Sequence, residues 1–397
     1  MTTPHSCPDC LRRSWLLSLL GPYLETAIGG SGGRRPGELL ALTNPELAAT
    51  VAPDSGGRLL AEVEDRDERW FSERLEEAGC WAICRHQEAY PIGLRDLDAT
   101  PAALIGRGEP SVVAALEPHR GIAVVGSRRA TSYGREVARG LGSELSTSGL
   151  VVVSGLAFGI DACAHRGALD AGAPTIAVLG SGPDIPYPAA HRTLWRQIAE
   201  TGAVVSELAP GSIPWRWSFP ARNRIIAALA GMTVVVEAAA RSGSLLTADL
   251  AADLGRDLGA VPGPVSSRAS AGPNELLAGG ACVVRDGQDV LDALLDAGAA
   301  STAGRSGASE SSSEGSRLYA PQADAAEPAY TVVGHYGQGH IPYVTTVHTY
   351  NGPEAALDLA HKAFEAHEVG DLELQIVSLF HGEPRLVDFD EPLGRDC

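Results

Sequence analysis

Lysine is almost missing from this chain: of 31 basic residues, only Lys362 is not arginine. With abundant alanine and glycine, that bias reflects a GC-rich genome rather than a physical need. No run of about 18 apolar residues occurs, which excludes a transmembrane helix. The segment Leu11–Leu20 carries two arginines ahead of leucines, in the manner of a twin-arginine signal. Its apolar part is short, is cut by Gly21-Pro22 and leads to no small-residue cleavage site, so it reads as an ordinary helix. Seven cysteines, an odd number in a long chain, argue against a disulfide scaffold and for a reducing cytoplasm. There is no Walker motif, no G-x-G-x-x-G dinucleotide fingerprint and no internal repeat.

What is present is a chain of 397 residues, 44% hydrophobic, enough for two or three domains with full cores. Its net charge of −18 argues against nucleic acid on its face. The charge is uneven, however: residues 120–260 hold 13 arginines against 11 acidic residues, a net of +2 that leaves −20 on the rest. A nucleic-acid site is a local field rather than a global sum.

Three kinds of segment follow one another. Residues 1–110 have helical spacing over Leu11–Leu20, Glu38–Leu42, Pro45–Val51 and Asp67–Ala78, with a short strand at Trp81–Cys84. They read as a small helical domain. Residues 111–296 alternate short Val/Ile-rich runs with helical stretches. The runs fall at 122–125, 150–153, 175–179, 203–205, 232–236, 258–261 and 281–284. Without polar alternation, they are strands covered on both faces, as in a parallel sheet. Helices are expected at 133–145, 161–171, 189–200, 223–230, 245–254 and 274–278. This is the pattern of a doubly wound, mostly parallel α/β sheet of extended Rossmann type with right-handed crossovers. Residues 297–328 are rich in Ala, Gly, Ser and Glu and read as a flexible linker. Residues 329–397 read as a small α+β domain of ββαββ order, with a helix at 353–367. From Pro321 onward this segment has 3 basic and 13 acidic residues, a net of −10.

In such a sheet, ligands sit at the carboxyl ends of the strands, and here those ends carry glycine and small polar groups. Gly126 admits close backbone approach, Ser127 offers a hydroxyl and Arg128 a phosphate-matching fork. Gly155 and Gly159 follow the second run. Ser242, Gly243 and Ser244 open a later helix. Any one of these reads equally well as a turn without a ligand; together, at one rim, they favour an anion groove. The stretch Phe219-Pro-Ala-Arg222-Asn223-Arg224-Ile-Ile places arginines at an expected helix start, where the macrodipole already carries positive charge. With Arg216 upstream and the Phe219 ring, it reads as cations beside a stacking platform suited to a single nucleic-acid strand. The alternative is a plain helix start with solvated arginines. Asp161 and His165, four apart on a helix, can meet; they read either as an oriented histidine in the groove or, in preference, as a helix brace and a histidine packed nearby. Glu237, after a buried strand, reads either as a catalytic acid or as an organiser of Arg222 or Arg224.

Taken in order, Gly126-Ser-Arg128, Ser154–Asp161, Pro188–Leu194, Ser206-Glu207, Phe219–Ala227, Val236–Ala238, Ser242–Ala248 and Val261-Pro-Gly263 resemble the DNA-processing protein A (DprA, or Smf) family over about residues 90–295. The resemblance implies an extended Rossmann-like domain that binds single-stranded DNA, forms a homodimer and loads the RecA recombinase in transformation or repair, without catalysis or cofactor. It also implies that Arg128, Arg216, Phe219, Arg222 and Arg224 fall in the DNA pocket. The segment after Tyr330 departs from the family: it has no helix-turn-helix pattern and its charge opposes DNA, so a docking or regulatory role is expected.

Two other functions stand as alternatives. One is a nucleotide-hydrolysing enzyme similar to the LOG-type phosphoribohydrolases. Their Pro-Gly-Gly-x-Gly-Thr motif is replaced here by Val236-Glu-Ala-Ala-Ala-Arg-Ser-Gly-Ser. The other is a nucleotide-sensing scaffold. Cys7, Cys10, Cys80 and Cys84 have a spacing that permits a four-thiolate zinc site without diagnosing one; reduced thiols are the expectation.

Overall fold

The computed structural model describes residues 6–29, 35–303, 329–336, 341–348, 374–381 and 385–387. The chain divides into two compact units, Met1–Ala308 and Ser309–Cys397.

The first unit begins with a helical layer: α1 (Pro8–Leu19), α2 (Gly21–Gly29), α3 (Pro36–Leu40), α4 (Asn44–Val51), α5 (Gly56–Glu64) and α6 (Glu68–Glu77). Proline in the first turn opens α1, α3 and α4, where its missing N–H costs nothing. A capping box between Thr43 and Glu46 fixes the start of α4. The layer packs Leu11, Leu16, Leu20, Leu24, Leu47 and Phe71 into one core.

A nine-stranded sheet follows, built from β1 (Trp81–Cys84), β2 (Ala103–Gly108), β3 (Gly121–Val125), β4 (Val151–Ser154), β5 (Thr175–Val178), β6 (Ala203–Ser206), β7 (Met232–Val235), β8 (Asp257–Ala260) and β9 (Cys282–Val283). Their order across the sheet is β1-β2-β6-β5-β4-β3-β7-β8-β9. The seven apolar runs are the strands β3 to β9, all parallel. β1 pairs antiparallel with β2, and β2 antiparallel with β6. The helices are α7 (Pro110–Ala114), α8 (Ser132–Thr147), α9 (Ile160–Asp170), α10 (Arg192–Thr201), α11 (Ser218–Ala228), α12 (Leu245–Asp253), α13 (Ala271–Ala278) and α14 (Gly287–Ala303). From β3 the order runs outward through β4 to β6 on one side and through β7 to β9 on the other. The loops that leave β3 and β7 therefore face a topological switch point, where this sheet type opens a crevice.

Three expected boundaries move. The first 110 residues are not a separate domain. β1 and β2 extend the main sheet, and the helical core is shared with Cys84, Ala103, Leu208, Trp217 and Ala221. The linker does not begin at 297, because α14 runs on to Ala303. Val290 is fully buried and Ala293 and Leu294 pack beside it, a helical spacing inside a stretch whose alanine favours helix over linker. Finally, the helix expected at 223–230 spans 218–228, for reasons that bear on the site.

In the second unit, β10 (Ala329–Tyr336), β11 (Ile341–His348), β12 (Leu374–His381) and β13 (Arg385–Val387) form an antiparallel sheet of order β11-β10-β12-β13. These are the four runs expected from sequence, with the β12–β13 hairpin at His381–Arg385. The helix expected at 353–367 and most of the linker lie outside the described residues.

Candidate nucleic-acid interface

Helix α11 is the pivot of the site, and the helical layer sets where it starts. The Trp217 indole N–H donates to the Gly21 carbonyl at 3.0 Å, and the Trp217 backbone N–H donates to Glu25 Oε2 at 3.1 Å. Ser18 Oγ accepts from the Ala209 N–H at 3.0 Å, holding the loop before α11. The Ser218 hydroxyl donates to the Gly180 carbonyl at 2.6 Å, tying the first residue of α11 to the end of β5. Pro220 lies in the first turn, where its missing N–H breaks no helical bond. The helix thus begins five residues earlier than its apolar pattern indicates.

That shift separates the arginines. Arg222 and Arg224 fall inside the helix and are buried, at 6% and 5% exposure. Arg224 forms a two-pronged bridge to Glu207, Nη2 to Oε2 at 2.6 Å and Nη1 to Oε1 at 2.7 Å. It also donates to the carbonyls of Ala99 and Ala221. Its charge is matched inside the protein, so it is not placed to meet a ligand. Arg222 donates to the Val178 carbonyl at the end of β5. A Cβ at Gly155 would fall on its guanidinium, so a side chain there would displace Arg222. Burial lowers Arg222 to about 10, against the opposing pull of Asp161, so it stays cationic at neutral pH. Its Nε is buried without a hydrogen-bond partner. Burial raises the Asp161 carboxyl, with Arg222 opposing. Asp161 accepts from the N–H groups of Gly155 and Ala157, bracing the loop before its own helix. His165 is fully buried with Nδ1 2.8 Å from Thr175 Oγ1.

Arg128 is different. It is exposed on the loop after β3, and its guanidinium carbon sits 5.4 Å from the centroid of the Phe219 ring. Phe219 is half-buried, and Tyr187 stands beside it at a centroid distance of 5.4 Å with the planes tilted by 38°. Tyr187 is 42% exposed. The expectation did not include Tyr187; its place between Pro186 and Pro188, just past a strand end, is a signal for a rigidly held aromatic.

The loops around this platform are locked together. Gly159, at φ 76°, packs over the Ser127 carbonyl, where a Cβ has no room. The Ser127 N–H donates to the Glu237 carbonyl at 2.6 Å, and Ser127 Oγ accepts from the Arg129 N–H. Gly126 lies against Ile160 and the Glu237 backbone. The Glu237 carboxylate accepts from the Thr131 N–H at 2.9 Å and from its hydroxyl at 2.5 Å. It braces the start of α8 and organises neither Arg222 nor Arg224. Asn223 Nδ2 donates to the Gly243 carbonyl at 3.3 Å, joining α11 to the loop after β7. In that loop Ser242 and Ser244 share a hydroxyl hydrogen bond of 2.8 Å, and Gly243 is exposed with open space above it. Arg216 is exposed just ahead of α11. The structure therefore brings Gly126, Ser127, Arg128, Gly159 and Phe219 into one rim, with Asn223 and the 242–244 loop continuing it across the switch point, while Gly155 is buried beneath it against Arg222. It withdraws Arg224 into the core and makes Arg222 part of the floor.

The model of the DNA recombination-mediator protein A family matches residues 81–295, more than half of the chain. The chain belongs to the DNA recombination-mediator protein A family. This places it among DNA-processing proteins. It is 38% identical over 253 residues to the DNA processing protein DprA of Streptococcus pneumoniae, covering 62% of this chain and 86% of that one. It is 39% identical over 228 residues to Protein Smf of Escherichia coli, covering 55% and 60% of the two chains. The X-ray structure of DNA processing protein A from S. pneumoniae superposes on it with a TM-score of 0.56 at 32% identity, over 72% of this chain and 95% of that one. The span of the family model takes in the whole nine-stranded sheet, β1 and β2 included, and the rim described above. Among the described residues no helix is long and apolar enough to cross a membrane.

Proposed function

We propose that the rim binds single-stranded DNA without sequence preference, and that the protein, as a homodimer, protects the strand and delivers it to the RecA recombinase in transformation or recombinational repair. The observation that carries this reading is the exposed Arg128 over the Phe219 ring, with Tyr187 packed beside that ring. A guanidinium beside two aromatic faces meets both needs of an unpaired strand: a counter-charge for its phosphates and a surface for its bases. The cationic, buried Arg222 beneath the rim adds to the field, partly offset by Asp161. The surplus of arginine over acid in residues 120–260 is consistent with a local positive field on an acidic chain.

Binding rather than chemistry is the role proposed. Both oxygens of Glu237, the strand-end carboxylate, already accept from Thr131. The test is a titration with oligo-dT, duplex and free nucleotides. Oligo-dT is expected to bind tightest, and Phe219→Ala to weaken it by about 1–3 kcal/mol. Equal affinity for duplex, or a variant that loses melting temperature while keeping its affinity, would rule out the stacking platform.

A further inference from the structure

We propose that Cys7, Cys10, Cys84 and His86 bind a structural zinc ion. Their three Sγ atoms and a His86 ring nitrogen lie within 4.8 Å of one another. Cys7 Sγ is 3.2 Å from His86 Nδ1, and Cys10 Sγ is 3.5 Å from it. Zinc–sulfur bonds are about 2.3 Å, so tetrahedral thiolates stand roughly 3.8 Å apart, and the cluster needs only small adjustments to close on an ion. Cys80 is not part of it; its thiol donates to the Ala78 carbonyl at 3.5 Å. His86, two residues beyond Cys84, supplies the fourth ligand in its place.

The local structure favours ligation over four idle groups. Cys7 is the N-cap of α1 but makes no side-chain cap, leaving its sulfur free to point at Cys10 one turn on. Cys84 ends β1, and the chain turns at once through a Gln87 N–H to Cys84 carbonyl bond of 2.9 Å, which sets Cys84 and His86 on one side of a tight bend. The Gln87 side chain accepts from the Cys84 N–H at 2.6 Å and from the Ser6 hydroxyl at 3.0 Å, so an outer layer ties the two ligand pairs together. Cys10 and Cys84 are buried and His86 is exposed beside a cleft of about 580 Å³, which gives the ion a route in. Three soft thiolates and one imidazole with no position left for substrate are a donor set for Zn²⁺ in a structural, closed site. The ion would pin the start of α1 to the sheet edge at β1, far along the sequence, beside the core that the two already share.

The test is metal analysis of untagged protein purified without chelator, then cobalt substitution. One zinc per chain is expected, with tetrahedral Co²⁺ bands on replacement, and a melting temperature that falls on stripping and returns with zinc alone. His86→Ala, at an exposed position, should weaken zinc affinity by at least about tenfold, whereas Cys80→Ser should keep the full metal content. A folded protein that takes up no zinc after reduction, a Cys7–Cys10 or Cys10–Cys84 disulfide in the reduced-cell preparation, or metal lost equally in Cys80→Ser would each overturn the proposal.

Discussion

A guanidinium can serve a phosphate only if its charge is not already matched, and this separates residues that look alike in sequence. Arg128 has an aromatic face beneath it and solvent above. Arg224 has Glu207 and two carbonyls. Arg128→Ala is therefore expected to leave the urea midpoint unchanged and to weaken oligo-dT binding on all sequences, lowering the salt slope by about one. Arg224→Ala leaves Glu207 as an uncompensated buried charge and should cost about 3–5 kcal/mol of stability, read from the same urea curves. Equal melting of the two variants would contradict the assignment. Nothing in the sequence separated these arginines. Glu207 lies 17 positions before Arg224, and only the fold shows that they meet.

At the scale of elements, the strands were legible because each is short, apolar and unalternated. Of the two antiparallel strands at the edge, β1 was legible at Trp81–Cys84 and β2 was not. β2 falls in residues read as a helical domain, and its pairing with β6 spans about a hundred residues. The start of α11 was misplaced for a related reason: Trp217 is anchored by α2 rather than by a local cap. On α9 the brace and the packed histidine agree with the preferred reading, but the four-residue spacing does not pair them: Asp161 takes the N–H groups of Gly155 and Ala157, and His165 packs against Thr175. His165 shows what such packing costs in acid. Burial, reinforced by Arg222, lowers the imidazole to about 3, well below its unfolded value near 6.5. The folded protein keeps His165 neutral while the unfolded chain binds the proton. Stability is then complete above about pH 6.5 and falls as the pH drops towards 3. Equilibrium unfolding at stepped pH should show that loss, and His165→Asn should flatten it. A wild-type curve level from pH 6.5 to 4 would contradict the neutral buried histidine.

For the whole molecule, the question is what the acidic segment does to DNA binding. Its charge was plain from composition, and its four strands from their runs, but where the first unit ends was not, because α14 continues through sequence that looks like linker. The unit Met1–Ala308 contains the complete sheet, the helical layer and every residue of the rim. Cutting at Ala308 rather than near 296 keeps α14, with Val290 buried and the Gly287 N–H on Glu144 at 2.6 Å, so the shortened protein should fold. Residues 321–397 carry a net charge of −10. A polyanion tethered to the unit proposed to bind the strand repels that strand through solvent wherever it comes within about 10 Å at 0.1 M salt or about 30 Å at 0.01 M. Removing it should leave oligo-dT affinity equal or higher, with the largest gain at the lowest salt. The measurement is a salt series of titrations on both lengths of chain, with circular dichroism to establish that the shorter one is folded. A folded 1–308 protein that bound oligo-dT much more weakly would assign the acidic segment to the DNA site itself. Its charge would then have to be offset by contacts strong enough to outweigh that repulsion.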